Sequence, residues 1–259
     1  MEIRNLFRKT TILLLCSIIF SCTQRPPIPQ NHRRLPENRG QNHQQELPRN
    51  RRKNPSQASK SQGNWIVEKP TSRVKLSPQE IFETYSSAVF MIFTSSGYNQ
   101  FQGSGFFINS RGLAVSNYHV FQGTTVGYEI IKLQDGRQYK LKDVILKDRE
   151  NDIMIFTVDA EQTTFKYLPL SKNQPRVGDK AYAIGSPRGL ENTFSSGEIS
   201  QLREGHIIQI SVPIDHGSSG GALINEYGEA IGITSAGLDY SGANLNFAIS
   251  TDLVRKYLR

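Results

Sequence analysis

The sequence predicts an all-β fold in which residues 76–259 form one or two antiparallel barrels. Three observations lead there. Roughly a dozen short apolar runs, each broken by Gly, Asn or Asp turns, follow one another across this stretch, with no fixed-period repeat. The body holds no cysteine, since Cys16 and Cys22 both lie near the N-terminus, so it is no disulfide scaffold, thiol enzyme or Cys-ligated zinc protein. Charge is segregated: the chain carries a net +8, yet residues 76–259 hold 16 Lys/Arg against 19 Asp/Glu. The part expected to fold is mildly acidic, which argues against a nucleic-acid-binding fold there.

The order along the chain begins with an export signal over residues 1–22. Arg4, Arg8 and Lys9 precede the apolar run Thr11–Phe20. A membrane span needs roughly 20 apolar residues; about ten behind a basic start describe a secretory signal. The run ends Ile19-Phe20-Ser21-Cys22, with no Ala-x-Ala-like cleavage site. A small residue before Cys at this place resembles a bacterial lipobox, although Phe20 is bulkier than usual there. Cys22 is the expected lipidation site and membrane anchor.

Residues 23–75 carry 12 Lys/Arg against three Glu and are dominated by Pro, Gln, Asn and Arg. Such a segment buries too little apolar area to offset its ordering entropy, so a disordered basic linker is expected. This segment also lowers the whole-chain mean hydropathy to −0.46. A coil of about 50 residues spans on the order of 40 Å. Attraction to anionic lipid or cell-wall polymer is the functional reading of its Arg49, Arg51, Arg52 and Lys53 cluster.

The body opens with Ser77-Pro78-Gln79-Glu80, which marks a helix start with Ser77 as N-cap and Pro78 at N1, running to about Ala88. Hairpins are expected at Phe106–Ile108 with Leu113–Ser116, around Asn109-Ser110-Arg111-Gly112, and at Tyr128–Leu133 with Gln138–Leu141, around Asp135-Gly136. Ile153–Val158 reads as a buried strand. Further strands are Lys180–Ile184, Gly197–Leu202, His206–Val212, Gly221–Ile224, Ala230–Ser235 and Leu245–Ile249. Thr251 is the expected cap of a final helix, Asp252–Leu258.

Chemistry concentrates at three places. Gly217-Ser218-Ser219-Gly220-Gly221 brackets a serine with glycines, leaving a hydroxyl accessible and letting amides converge on one point, as an acyl-transfer nucleophile needs. Ser116-Asn117-Tyr118-His119-Val120 supplies a histidine after a strand, the natural base for serine at neutral pH. His216 is too locally tied to Ser219 for that role, and His206 begins a strand. Asn151-Asp152-Ile153-Met154-Ile155 places a carboxylate at the head of an apolar strand, where it can orient an imidazole. Taken singly, each has a bland reading as a turn, a structural histidine or a strand-end residue. The chain order His119, Asp152, Ser219 is one of the orders known for this geometry.

Gly103-Ser104-Gly105-Phe106-Phe107-Ile108 through His119-Val120 resembles the histidine region of HtrA/Deg trypsin-like serine proteases. Asp135–Tyr139, Asn151–Met154, Ala183–Leu190, Ser196–Ser200, Gly217–Gly221, Gly232-Ile233 and Asn246–Ile249 resemble their later blocks. The resemblance covers about Leu76 to Arg259. It implies two perpendicular six-stranded barrels with a short C-terminal helix. In it His119 is the general base, Asp152 its orienter, Ser219 the nucleophile, and the amides of Gly217 and Ser219 the oxyanion hole. It places Pro213, Ile214, Thr234, Ser235 and Ala236 along the specificity pocket. None of these is acidic, so small or medium apolar residues are favoured over Arg or Lys; His216 leaves a glutamyl preference open.

The chain departs from the family at Ser218, usually Asn or Asp, at His216, often Pro, and at Ala222, usually Pro. Only 40 residues follow Ser219, so a protease domain without the family's PDZ domain is expected. The expected partners are protein or peptide substrates and a membrane through Cys22, with no nucleic acid, no cofactor or metal, and possible homo-oligomers. A non-catalytic binding or chaperone-like module on the same fold is the competing reading.

Overall fold

The computed structural model describes residues 74–259 apart from residues 98, 126, 161, 187–191, 204–205 and 236–244. Cys22, nearly all of the basic linker, the segment 187–190 and Ala236 therefore lie outside the described residues.

Helix α1 (Pro78–Tyr85) opens the body with the expected capping box: the Ser77 hydroxyl accepts from the Glu80 amide, and the Glu80 carboxylate accepts from the Ser77 amide. The helix stops at Tyr85 rather than Ala88. Ser86–Ala88 tighten into a 3-10 turn, which swings the chain into a strand beginning at Val89.

Two halves follow. The first is a seven-stranded antiparallel sheet of β1 (Val89–Ser95), β2 (Gln100–Phe107), β3 (Leu113–Ser116), β4 (Ile130–Lys132), β5 (Gln138–Tyr139), β6 (Leu141–Asp148) and β7 (Ile153–Val158), ordered β5-β4-β1-β2-β3-β7-β6. Its edge strands β5 and β6 are joined through Lys140 alone, so the sheet must roll until its edges meet. Where a closed six-stranded barrel is expected, this half is a rolled, half-barrel sheet of seven strands with no ladder closing its edges, because the chain bends at Lys140 and splits the sixth strand into β5 and β6. Rings fill it: Phe107 stacks on Phe165 at 4.2 Å, and Phe90 meets Phe107 at 4.6 Å.

The second half is a closed six-stranded barrel of β8 (Lys180–Gly185), β9 (Thr193–Arg203), β10 (Ile207–Ile210), β11 (Ala222–Ile224), β12 (Ala230–Ser235) and β13 (Asn246–Ser250). Small aliphatics fill it, including Ala181, Ala183, Ile199, Ile208, Leu223 and Ala248. Helix α2 (Thr251–Tyr257) packs against β12. Its N-cap is Ser250, whose hydroxyl accepts from the Asp252 amide. Thr251 is not the cap as expected: its hydroxyl donates to the Ala230 carbonyl and pins the first helical turn to β12.

A third cluster joins the halves. Phe106, Val115, Ile153 and Ile155 from the first sheet meet Tyr182, Ile184, Ala222, Ile233 and Ile249 from the barrel, with Val254 of α2. The ends of β3 and β7 and the β10–β11 loop lie at the rim of this shared core.

Candidate active site

β6 turns into β7 through a tight loop. The Asp148 carboxylate accepts from the Asn151 amide at 3.0 Å and from the Asn151 side-chain amide at 2.7 Å, closing an Asx-type turn. The next residue, Asp152, has φ of 53°, in the left-handed region that a non-glycine residue enters at a cost of about 1 kcal/mol.

That conformation is held from the β3 side. The Asp152 carbonyl accepts from the Tyr118 amide at 3.2 Å and from the Asn117 side-chain amide at 3.1 Å. Its carboxylate Oδ1 accepts from the His119 amide at 2.8 Å, and Oδ2 lies 2.8 Å from His119 Nδ1. Asp152 thus grips His119 at both backbone and ring. With Nδ1 bound to a carboxylate, the imidazole is directed to present Nε2 to whatever lies opposite. The His119 side chain keeps 37% of its exposure and Asp152 21%, so the pair is half-desolvated and open on one side.

Ser219 lies on the loop between β10 and β11. Gly217 and Gly220 have φ of 95° and 89°, which glycine adopts without strain. The loop's carbonyls are tied back: Gly217 to the Ser104 hydroxyl at 2.7 Å, Ser218 to the Thr234 hydroxyl at 2.7 Å and the Gly221 amide at 2.9 Å, and Ser219 to the Ser104 amide at 2.8 Å. The Gly217 amide donates to no acceptor among the described residues. A side chain at Gly220 would collide with the Ser104 carbonyl and the Ser116 hydroxyl. Ser116 is the last residue of β3, three before His119, so the serine loop is seated against the strand that delivers the histidine.

Other predicted residues fall as follows. Pro213 is exposed and Ile214 half-buried. The Thr234 hydroxyl is committed to the Ser218 carbonyl, so Thr234 braces the serine loop. Ser235 is 2% exposed, and its hydroxyl has no hydrogen-bond partner among the described residues. His216 is exposed, its amide held by Asp215, and His206 gives its carbonyl to the Ser250 amide. Ser104 is a site residue that no catalytic motif in the sequence marks. It bonds Gly217 and Ser219 and accepts from the Ser186 amide at 2.9 Å, linking β2 to the loop. Its place between Gly103 and Gly105 was the available signal: a side chain at Gly103 would strike Val120 and one at Gly105 would strike Phe90.

Residues 103–233 match the family model of the trypsin-like peptidase domain. A protein of Haemophilus influenzae named probable periplasmic serine protease do/HhoA-like is 35% identical over 158 residues, covering 57% of this chain and 33% of its own length. The periplasmic serine endoprotease DegP of Escherichia coli is 37% identical over 164 residues, covering 59% and 34%. The chain thus spans about a third of the length of these curated relatives. The crystal structure of a serine endoprotease from Yersinia pestis is similar with a TM-score of 0.62 at 28% identity, covering 71% of this chain and 65% of that one.

Proposed function

Because the chain belongs to the trypsin-like peptidase family, we propose that it is a serine endopeptidase worked by His119, Asp152 and Ser219. The Ser219 hydroxyl attacks the scissile carbonyl while its proton passes to His119 Nε2. The oxyanion formed is met by the amides of Gly217 and Ser219. Collapse of this intermediate breaks the C–N bond, and His119 returns the proton to the leaving amine. Water, deprotonated by the same imidazole, then hydrolyses the acyl-enzyme and restores the Ser219 hydroxyl. The Asp152 carboxylate stabilises the imidazolium formed twice per cycle.

The observation that carries this reading is the double hold of the Asp152 carboxylate on His119, with Oδ1 on the amide and Oδ2 on the ring, each at 2.8 Å. Two bonds to one carboxylate fix the position and the tautomer of the base together. The tied-back carbonyls of Gly217, Ser218 and Ser219 support the oxyanion role, since they keep acceptor oxygens engaged elsewhere. Pro213, Ile214, Thr234, Ser235 and Ala236 are assigned to the specificity pocket, with small or medium apolar residues preferred.

The relatives named periplasmic, together with the basic and apolar start of the chain, support an exported enzyme of the cell envelope. Cys22 is assigned as its lipid attachment point, and misfolded or exported proteins as its substrate class. A fluorophosphonate probe tests the chemistry: labelling of the wild type and none of Ser219→Ala is expected, whereas equal labelling of both removes the assignment. Casein bound but uncleaved would instead identify a non-catalytic module. Intact-mass analysis of the mature chain reports whether Cys22 carries the lipid.

A further inference from the structure

The loop that carries Asp152 is held from one direction that the catalytic assignment does not use. Tyr257, the last residue of α2, belongs to the second half of the molecule. Its hydroxyl donates to Asp148 Oδ2 at 2.5 Å, across 109 residues of sequence. The same oxygen accepts from the Asn151 side-chain amide at 2.7 Å, and Asn151 Nδ2 itself lies 3.5 Å from the Tyr257 hydroxyl. Asp148, Asn151 and Tyr257 thus form a three-way junction one residue ahead of Asp152.

The backbone at Asp152 needs such support. Its φ of 53° is unfavourable for a non-glycine residue and persists only if its surroundings over-determine it. Asn117, Tyr118 and His119 hold it from the β3 side. On the approach side the turn depends on Asp148, whose carboxylate is shared with α2. The helix is itself anchored, by the buried Val254 and by the Thr251 bond to Ala230.

We infer that Tyr257 is a positioning residue for the Asp152–His119 pair, acting through Asp148, so that the C-terminal helix of one half sets the carboxylate of the other. The inference rests on the protease reading for its effect on rate, though not for its effect on the pair. Loss of the hydroxyl frees Asp148 Oδ2 to rotate with Asn151, and the turn delivers Asp152 less accurately.

The test uses the full chain. Tyr257→Phe removes the hydroxyl and keeps the ring. Asp252→Asn is the control: it weakens α2 by removing the 2.6 Å ion pair between Asp252 and Arg255 but leaves Tyr257 intact. In Tyr257→Phe the maximal rate of fluorophosphonate labelling should fall roughly threefold to tenfold with half-saturation unchanged, because small misplacements far from the chemistry cost up to about a hundredfold. In a Ser219→Ala background the NMR signal of the His119 Nδ1 proton, which reports the bond to Asp152, should move or broaden. Asp252→Asn should change neither. The inference is overturned if Tyr257→Phe leaves rate and signal unchanged, or if Asp252→Asn reproduces both effects. If the wild type is not labelled at all but the Nδ1 signal responds to Tyr257→Phe and not to Asp252→Asn, the protease reading fails and the positioning role stands.

Discussion

The first half of the body is filled by rings and the second by methyl groups. In the first, Phe90, Phe107, Phe121, Phe156 and Phe165 occupy a rolled sheet whose edges meet only through Lys140. In the second, alanines and isoleucines occupy a barrel whose ladder closes between β9 and β10. A fully laddered ring of six strands has a fixed girth, and its interior admits small side chains. A sheet whose edges carry no closing ladder is not held to that girth, and phenyl rings fill it here. The two halves also supply different chemistry. The aromatic half presents His119 and Asp152 beside strand ends, joined by two hydrogen bonds. The aliphatic half presents Ser219 from a glycine loop.

That division predicts unequal losses. On the proposed assignment Ser219→Ala removes the attacking hydroxyl, and peptide hydrolysis should drop by about 10⁶-fold with the fold intact, as for other serine nucleophiles. Asp152→Asn keeps the shape but can leave the ring in the wrong tautomer, and about 10⁴-fold is expected. Progress curves on casein with matched circular dichroism spectra check both. An Asp152→Asn enzyme within tenfold of wild type would break the view that the first half contributes through tautomer control.

The cores should fail in opposite ways. Phe107→Ala leaves a hole among stacked rings and should cost about 3–5 kcal/mol. Ala181→Leu overfills the closed barrel and should cost about 1–3 kcal/mol. Urea midpoints at neutral pH decide this. If Ala181→Leu proves neutral, the barrel interior is less tightly set than its small side chains indicate.

Much of this division was readable in the sequence, and the parts that were not have physical reasons. His119 and Asp152 stand out because each is polar beside an apolar strand, and the structure brings them into contact. β7 and β12 were visible as apolar runs bounded by turns. β1 went unnamed because Val89–Ser95 follows a helix signal without an intervening turn cluster. β2 was placed at Phe106, although pairing with β1 extends it back to Gln100 through residues that look like a loop. The expected strand Gln138–Leu141 ends where β6 begins, and β6 has no clear signal of its own because it is a bulged edge strand with charges along it, which blurs alternation. Ser104 and Tyr257 act across long sequence separations, and no local pattern announces such partners.

The smallest predicted effect concerns the Tyr257–Asp148 bond, one of the polar contacts between the halves, and pH can isolate it. Burial pushes the Asp148 carboxyl up, but hydrogen bonds from Tyr257 and Asn151 outweigh this and hold it below the ordinary value of 3.8. The Tyr257 hydroxyl is raised above 10.0, chiefly by its bond to Asp148 and next by burial. A carboxylate with a depressed value stabilises the fold above its unfolded value, and that stability is lost as pH falls through the folded one. A phenol with a raised value stabilises below its unfolded value, and that stability is lost as pH rises through the folded one. The bridge should therefore contribute constantly between about pH 5 and 9 and fade toward both extremes. Tyr257 is 42% exposed, so solvent weakens the bond, and about 0.5–1 kcal/mol is expected at neutral pH. Wild type and Tyr257→Phe should differ by this amount in urea unfolding at pH 7, and the difference should shrink as pH falls below 3.8 through the folded Asp148 value. A difference that persists undiminished well below pH 3.8 would mean that the hydroxyl acts on something other than the Asp148 carboxylate, and that α2 does not reach the Asp152 turn through it.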